Sequence, residues 1–168
     1  MVALALAGVL ALVLPVGKAQ AAPDNILYSP SWGPGLVYLY GTLPEGGTLT
    51  DTYQVNCPTG TYMIGANVTD EAPALPGLFA VAVSKTQNAI TVKSAFDPTD
   101  GDTSSSFTPA AKGGAGIYTV AVTKSANVST PTEAYKVVVY CWTSSYAVVP
   151  IPVPAAGETG SVFYLGMD

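Results

Sequence analysis

At 168 residues and 17.1 kDa the chain is long enough for one ordinary domain with a sizeable core. It has no histidine, its six basic residues are all lysine, and eleven acids leave a net charge of −5 and a pI near 4.4. These counts exclude histidine triads, histidine metal sites and arginine clamps on phosphate, and they set the chain against nucleic acid, whose affinity rests on neutralising phosphates.

Residues 1–21 read as a secretory signal. An apolar run extends from Val2 to Gly17, is broken by Pro15 and Gly17, and leads to Ala19-Gln20-Ala21, an A-x-A cleavage pattern that would start the mature chain at Ala22. The run is shorter than the roughly 18 to 20 residues a bilayer span needs, so no stable membrane insertion is expected after cleavage. No basic residue precedes it, which leaves a retained hydrophobic anchor as the alternative.

The rest, 22–168, reads as a single β domain. Ile26 to Tyr28 is a short segment among turn formers. Residues 36–43 alternate, with Val37, Leu39 and Gly41 on one side and Tyr38 and Tyr40 on the other. A turn at 44–47 leads to a strand that puts Tyr53, Val55 and Cys57 on one face, and the turn at 58–60 opens a third strand over 61–69. After the proline-broken 71–77, residues 78–84 carry Phe79, Val81 and Val83 on the heavier face and pair as a hairpin with 89–96. The polar stretch 97–116 has room for a short edge strand around 105–108. Two strong strands follow, one with Tyr118, Val120 and Val122 inward, the other with Tyr135, Val137, Val139 and Cys141 inward. A proline-rich crossing over 147–157 precedes a last strand. No helical period of useful length appears after residue 21. The pattern predicts an all-β Greek-key β-sandwich of eight or nine strands.

Cys57 and Cys141 each finish an inward row. In an exported chain the expected outcome is one disulfide joining two strands across the core, with two buried thiols as the alternative.

The run from Gly116 to Val122, a loop, and the Tyr-led valine strand from Glu133 to Tyr140 resemble the end of bacterial pre-peptidase C-terminal-like domains. Gly46 to Tyr53 and the acidic 97–102 stretch fall in matching order, so the likeness covers about 45–142. It implies a secreted, non-catalytic sandwich of a kind that in some cases binds calcium or helps attach to substrate. The chain departs from the pattern in having no attached enzyme and in adding a disulfide framework.

Asp97, Asp100 and Asp102 gather carboxylates around Gly101, as a hard cation requires, with Asp70 or Glu71 as a further ligand. The spacing is not that of an EF-hand, so a solvated acidic loop stands beside the calcium reading, and no other cofactor is expected. Trp32, Tyr38 and Tyr40, with Tyr28, suggest a strip for stacking on sugar rings, or else a seal at one end of the sandwich. Trp142 is expected to pack beside the disulfide. Asn67 and Asn127 match the glycan acceptor pattern, read as a chance match with glycan attachment as the alternative. Acid–acid hydrolysis is the one catalytic design the composition leaves, and Asp51 and Glu133, each at a strand start, are expected to be solvated.

The leading functional expectation is a secreted, non-catalytic surface, matrix or accessory binding protein. The alternatives are a carbohydrate-binding module, an acid-carboxylate hydrolase, and a self-assembling subunit of an extracellular filament or lattice. The last is motivated by two apolar segments outside the best core: Ile26 to Leu43, and Val148 to Leu165 with Ile151 and Val153 between.

Overall fold

The computed structural model describes residues 25–29, 36–44, 49–71, 77–85, 90–96, 106–107, 110–126, 132–153 and 162–167. Residues 1–21, read above as a signal, Trp32, the 97–102 acids and the second sequon lie outside them. Among the described residues there is no helix, and none that is long and apolar enough to cross a membrane.

The described residues form eleven strands: β1 (Asn25–Ser29), β2 (Leu36–Leu43), β3 (Leu49–Cys57), β4 (Met63–Asp70), β5 (Gly77–Lys85), β6 (Ile90–Phe96), β7 (Ser106–Phe107), β8 (Ala111–Lys112), β9 (Gly116–Ala126), β10 (Glu133–Trp142) and β11 (Val162–Met167). The expected eight or nine grow by β1 and the two-residue β8, both too short for periodicity to reveal.

All pairings are antiparallel. One sheet has six strands in the order β1-β2-β10-β4-β7, with β8 also on β4; the other has five in the order β11-β3-β9-β5-β6. Consecutive strands therefore change sheet at β2–β3, β3–β4, β4–β5, β6–β7, β8–β9, β9–β10 and β10–β11, while β5–β6 stays in one sheet as the expected hairpin.

The alternation read from sequence decides which rows face inward. Val37 and Leu39 of β2, Tyr53 and Val55 of β3, Val81 and Val83 of β5, Val120 and Val122 of β9, and Val137 and Val139 of β10 are all fully buried in one core. Each Val side chain so buried contributes about 1.5–3 kcal/mol. Cys57 and Cys141 end two of these rows and are bonded to each other, with their Cα atoms 5.8 Å apart. Because β3 and β10 belong to different sheets, the bridge ties one sheet to the other.

The turn after Cys57 needs Gly60, whose φ of +95° lies in the left-handed region. Thr61 closes that turn, donating to the Pro58 carbonyl from both its amide and its hydroxyl, at 3.2 and 2.7 Å.

The apolar terminal segments are not outside the core. Leu43 and Ile151 are buried in it, Ile26 packs against it, and β2 is an inner strand flanked by β1 and β10. β11 is hydrogen-bonded to β3. Only Val148, Val153 and Leu165 of the segments' named residues are exposed, and Val148 bridges to Trp142. The described strands of these segments, β1, β2 and β11, are thus paired within the chain, with β1 and β11 at the sheet edges.

Candidate functional site

Two features stand out chemically: a polar cluster inside one end of the sandwich, and a row of rings on the outside of the six-stranded sheet.

The inner cluster arises because three inward rows end in charged residues. Asp51 extends the row of Tyr53 and Val55, Glu133 begins that of Tyr135 and Val137, and Lys124 ends that of Val120 and Val122. All three are buried, Asp51 and Lys124 at 0% exposure and Glu133 at 1%. This overturns the expectation that Asp51 and Glu133 are solvated at strand starts. The period of two that placed the tyrosines inside places these charges inside as well.

Asp51 is the acceptor at the centre. The Tyr135 hydroxyl donates to its Oδ2 at 2.6 Å and that of Tyr164 to its Oδ1 at 2.9 Å. The Tyr53 and Tyr135 hydroxyl oxygens are 2.6 Å apart; with Tyr135 donating to the carboxylate, Tyr53 donates to Tyr135. Burial raises the Asp51 carboxyl above its ordinary value, against the opposing pull of the Tyr135 and Tyr164 hydrogen bonds. Burial likewise drives Tyr135 far up, reinforced by Tyr53 and the Asp51 charge. Beside them Lys124 Nζ lies 3.6 Å from Glu133 Oε2 and donates to the Pro44 carbonyl at 3.4 Å.

At the disulfide end a second buried lysine has different company. Lys85 Nζ donates to the carbonyls of Gly113 and Ala115, both at 2.6 Å, and lies 4.9 Å from the Tyr118 ring centroid. Tyr118 donates to the Gly114 carbonyl at 2.7 Å, and burial pushes its phenol up to about 12. A Cβ on Gly113 would come 2.5 Å from the Tyr118 hydroxyl, so any other residue there must displace that ring end and its hydrogen bond to the Gly114 carbonyl. Lys85 pins the loop before β9, and Lys85→Met is expected to lower the unfolding free energy by about 1–3 kcal/mol, read by urea denaturation. A loss under about 0.5 kcal/mol would show that the carbonyls are satisfied without it.

The outer face follows from the other parity. Tyr38 and Tyr40 point away from the core, with ring centroids 6.3 Å apart, and so do not seal an end of the sandwich. On the adjacent β10, Tyr140 and Trp142 stack at 5.1 Å, and Tyr146 meets Trp142 edge-on at 5.9 Å. Trp142 follows Cys141 on β10 with the opposite parity and is 8% exposed, its ring covered by Tyr140 and Tyr146. Burial, and then proximity to Tyr38, raise the Tyr140 phenol above its ordinary value, which links the two ring pairs electrostatically. Tyr146 is 67% exposed and has a φ of +62°, a costly backbone state for a tyrosine. The turn that holds it is tied by Thr143, whose Oγ1 accepts from the Ser145 and Ala147 amides at 3.3 and 3.2 Å.

No protein-family model, curated protein or solved structure matches this chain.

The remaining sequence candidates find other places. Asp70 ends the inward row of β4 and is buried, while Glu71 pairs with Lys136 at 3.1 Å on the surface. Among the described residues no group of three or more acids or cysteines is arranged to hold a metal. Asn67 sits mid-strand in β4 between Val138 and Phe107. Sequence reading missed Tyr140 and Tyr146 as partners of Tyr38 and Tyr40. The outward parity of Tyr140 was available; the pairing of β2 with β10 was not.

Proposed function

We propose that the chain is an exported, non-catalytic binding domain of the cell surface or matrix that makes contact through the aromatic outer face of its six-stranded sheet, with carbohydrate as the ligand class. The observation that carries the reading is the grouping of Tyr38, Tyr40, Tyr140 and the exposed Tyr146 on and beside β2 and β10, with the Trp142 ring, 8% exposed, buried against Tyr140 and Tyr146 as their support. Rings with hydroxyl groups at their rims offer an apolar surface to the C–H face of a sugar and hydrogen bonds to its edge. The strained backbone of Tyr146 supports the same reading, since such conformations persist where surrounding structure holds them and gather at ligand-binding sites.

Export is supported by the 1–21 leader and by the bridge between Cys57 and Cys141. The absence of catalysis is supported by Asp51 and Glu133, which are sealed in the core away from any substrate. The strand order, β2-β10-β4-β7 facing β3-β9-β5-β6, fits a jelly roll, which is two Greek keys. That fold class does not by itself specify a ligand.

The test is retention of the purified protein on insoluble polysaccharides such as cellulose, chitin and peptidoglycan. Tyr38→Ala with Tyr40→Ala is expected to weaken retention about tenfold at an unchanged melting temperature, each ring contributing about 0.5–1.5 kcal/mol. Equal retention of the double variant, or none of the wild type on any of the three, would overturn the proposal.

A further inference from the structure

Lys124 and Glu133 are placed where an ion pair contributes least. Both side chains are completely buried, and their 3.6 Å separation exceeds the roughly 2.7–2.9 Å of a charge-assisted hydrogen bond. Removing two charges from water costs several kcal/mol per ion, and so long a contact returns little of it. Their backbones are nevertheless firmly held. Lys124 lies on β9 between Leu49 of β3 and Phe79 of β5, and Glu133 on β10 is paired with Leu43 of β2. The two residues meet from opposite sheets, each with a buried apolar neighbour alongside: Phe79 next to Lys124 and Leu43 next to Glu133. The Phe79 and Tyr135 rings, with centroids 5.3 Å apart, join the two sheets at the same end of the core.

We propose that this pair is the site of a self-catalysed cross-link, in which the Lys124 amine condenses with the Glu133 carboxyl group to form an amide between β9 and β10. The step balances within the pair. A proton passes from the ammonium to the carboxylate, leaving an amine facing a carboxylic acid. Lys124 Nζ attacks Glu133 Cδ, the Nζ–Cδ bond forms and the Cδ–OH bond breaks. The hydroxyl leaves as water with one hydrogen from the nitrogen. No oxidant, metal or activated phosphate takes part. Two groups fixed on rigid strands react as though at effective molarities of about 10⁵ M or more, and a core closed to solvent keeps water from reversing the step. The amide also ends the cost of two buried charges.

The cross-link would lie at the end of the sandwich away from the disulfide and would be indifferent to reductant. The test is the intact mass of the full purified chain, reduced and denatured. The expected mass is lower than that of its own sequence by one water, about 18 Da. Trypsin should fail at the blocked Lys124 and release residues 113–136 as one peptide carrying that deficit. Glu133→Gln should lose ammonia instead, about 17 Da, and Lys124→Met should have its full sequence mass. A wild-type chain of full sequence mass that trypsin cuts normally after Lys124 overturns the proposal, as does a deficit that survives in Lys124→Met. The wild-type measurement decides even if both variants fold poorly.

Discussion

Replacing Cys57 and Cys141 together by alanine is expected to cost the folded chain about 4–5 kcal/mol, the chain-entropy estimate for a bridge between residues 84 apart. The bond matters here for a topological reason. β3 and β10 lie in different sheets and share no ladder hydrogen bonds, so at this end the sheets are joined by side-chain packing and by the disulfide. The double variant should still fold, because the buried rows of Val, Tyr and Phe make one continuous core without the two sulfurs. Urea unfolding of the two proteins measures the difference, and a loss below about 1 kcal/mol would refute the estimate. A single replacement should aggregate more than it destabilises, because the surviving thiol can pair between molecules.

The second large effect concerns Asp51. Asp51→Ala removes the acceptor of two buried tyrosine hydroxyls and is expected to cost about 3 kcal/mol, hydrogen bonds to a charged group being the strong ones. Asp51→Asn should be much milder. Its amide can donate to Tyr135, whose hydroxyl then turns to donate to Tyr53. The two variants separate further with pH. The Asp51 carboxyl is raised in the folded state, so the folded chain takes up a proton more readily than the unfolded one. The stability this brings is fully present below the ordinary aspartate value of 3.8 and is lost as pH climbs through the raised one. Asp51→Asn has no such proton. Its stability relative to the wild type should therefore improve as pH rises from about 3 to neutrality, a comparison in which the other acids cancel. Urea titrations across that range read the effect, and a flat difference would mean that the tyrosine hydrogen bonds fully offset burial.

The strand rows were legible because alternation is a local property. Tyr53-Val55-Cys57 and Tyr135-Val137-Val139-Cys141 each declare an inner face within a few residues, and with export they declare the bridge. The same rows contained the buried charges. Asp51, Lys124 and Glu133 continue them in step, but charge argues for water so strongly that periodicity yields to it at a strand end. What overrides that preference is closure of the sandwich by Tyr164 of β11 and by the β2 end at Leu43 and Pro44, segments far away in sequence. The aromatic face was half legible for a related reason. Tyr38 and Tyr40 show their own parity, but their approach to Tyr140 depends on pairing strands some hundred residues apart. Hydrophobic content alone misled at the chain ends, where Ile26 to Leu43 and Val148 to Leu165 looked surplus and instead supply sheet positions and core.

The nested pairing of β2 with β10 and of β3 with β9 also sets when this chain can begin to fold. Neither β2 nor β3 has a neighbour from the first half of the sequence on its inner side of the sheet. A chain emerging from a ribosome or a translocation pore must wait until Trp142 is out before β2 and β4 acquire the strand that lies between them. Assembly dominated by such distant contacts is slow, on the order of milliseconds to seconds. Under the export proposed above, that delay would be protective, because the central strands of both sheets stay unpaired until most of the chain has crossed the membrane.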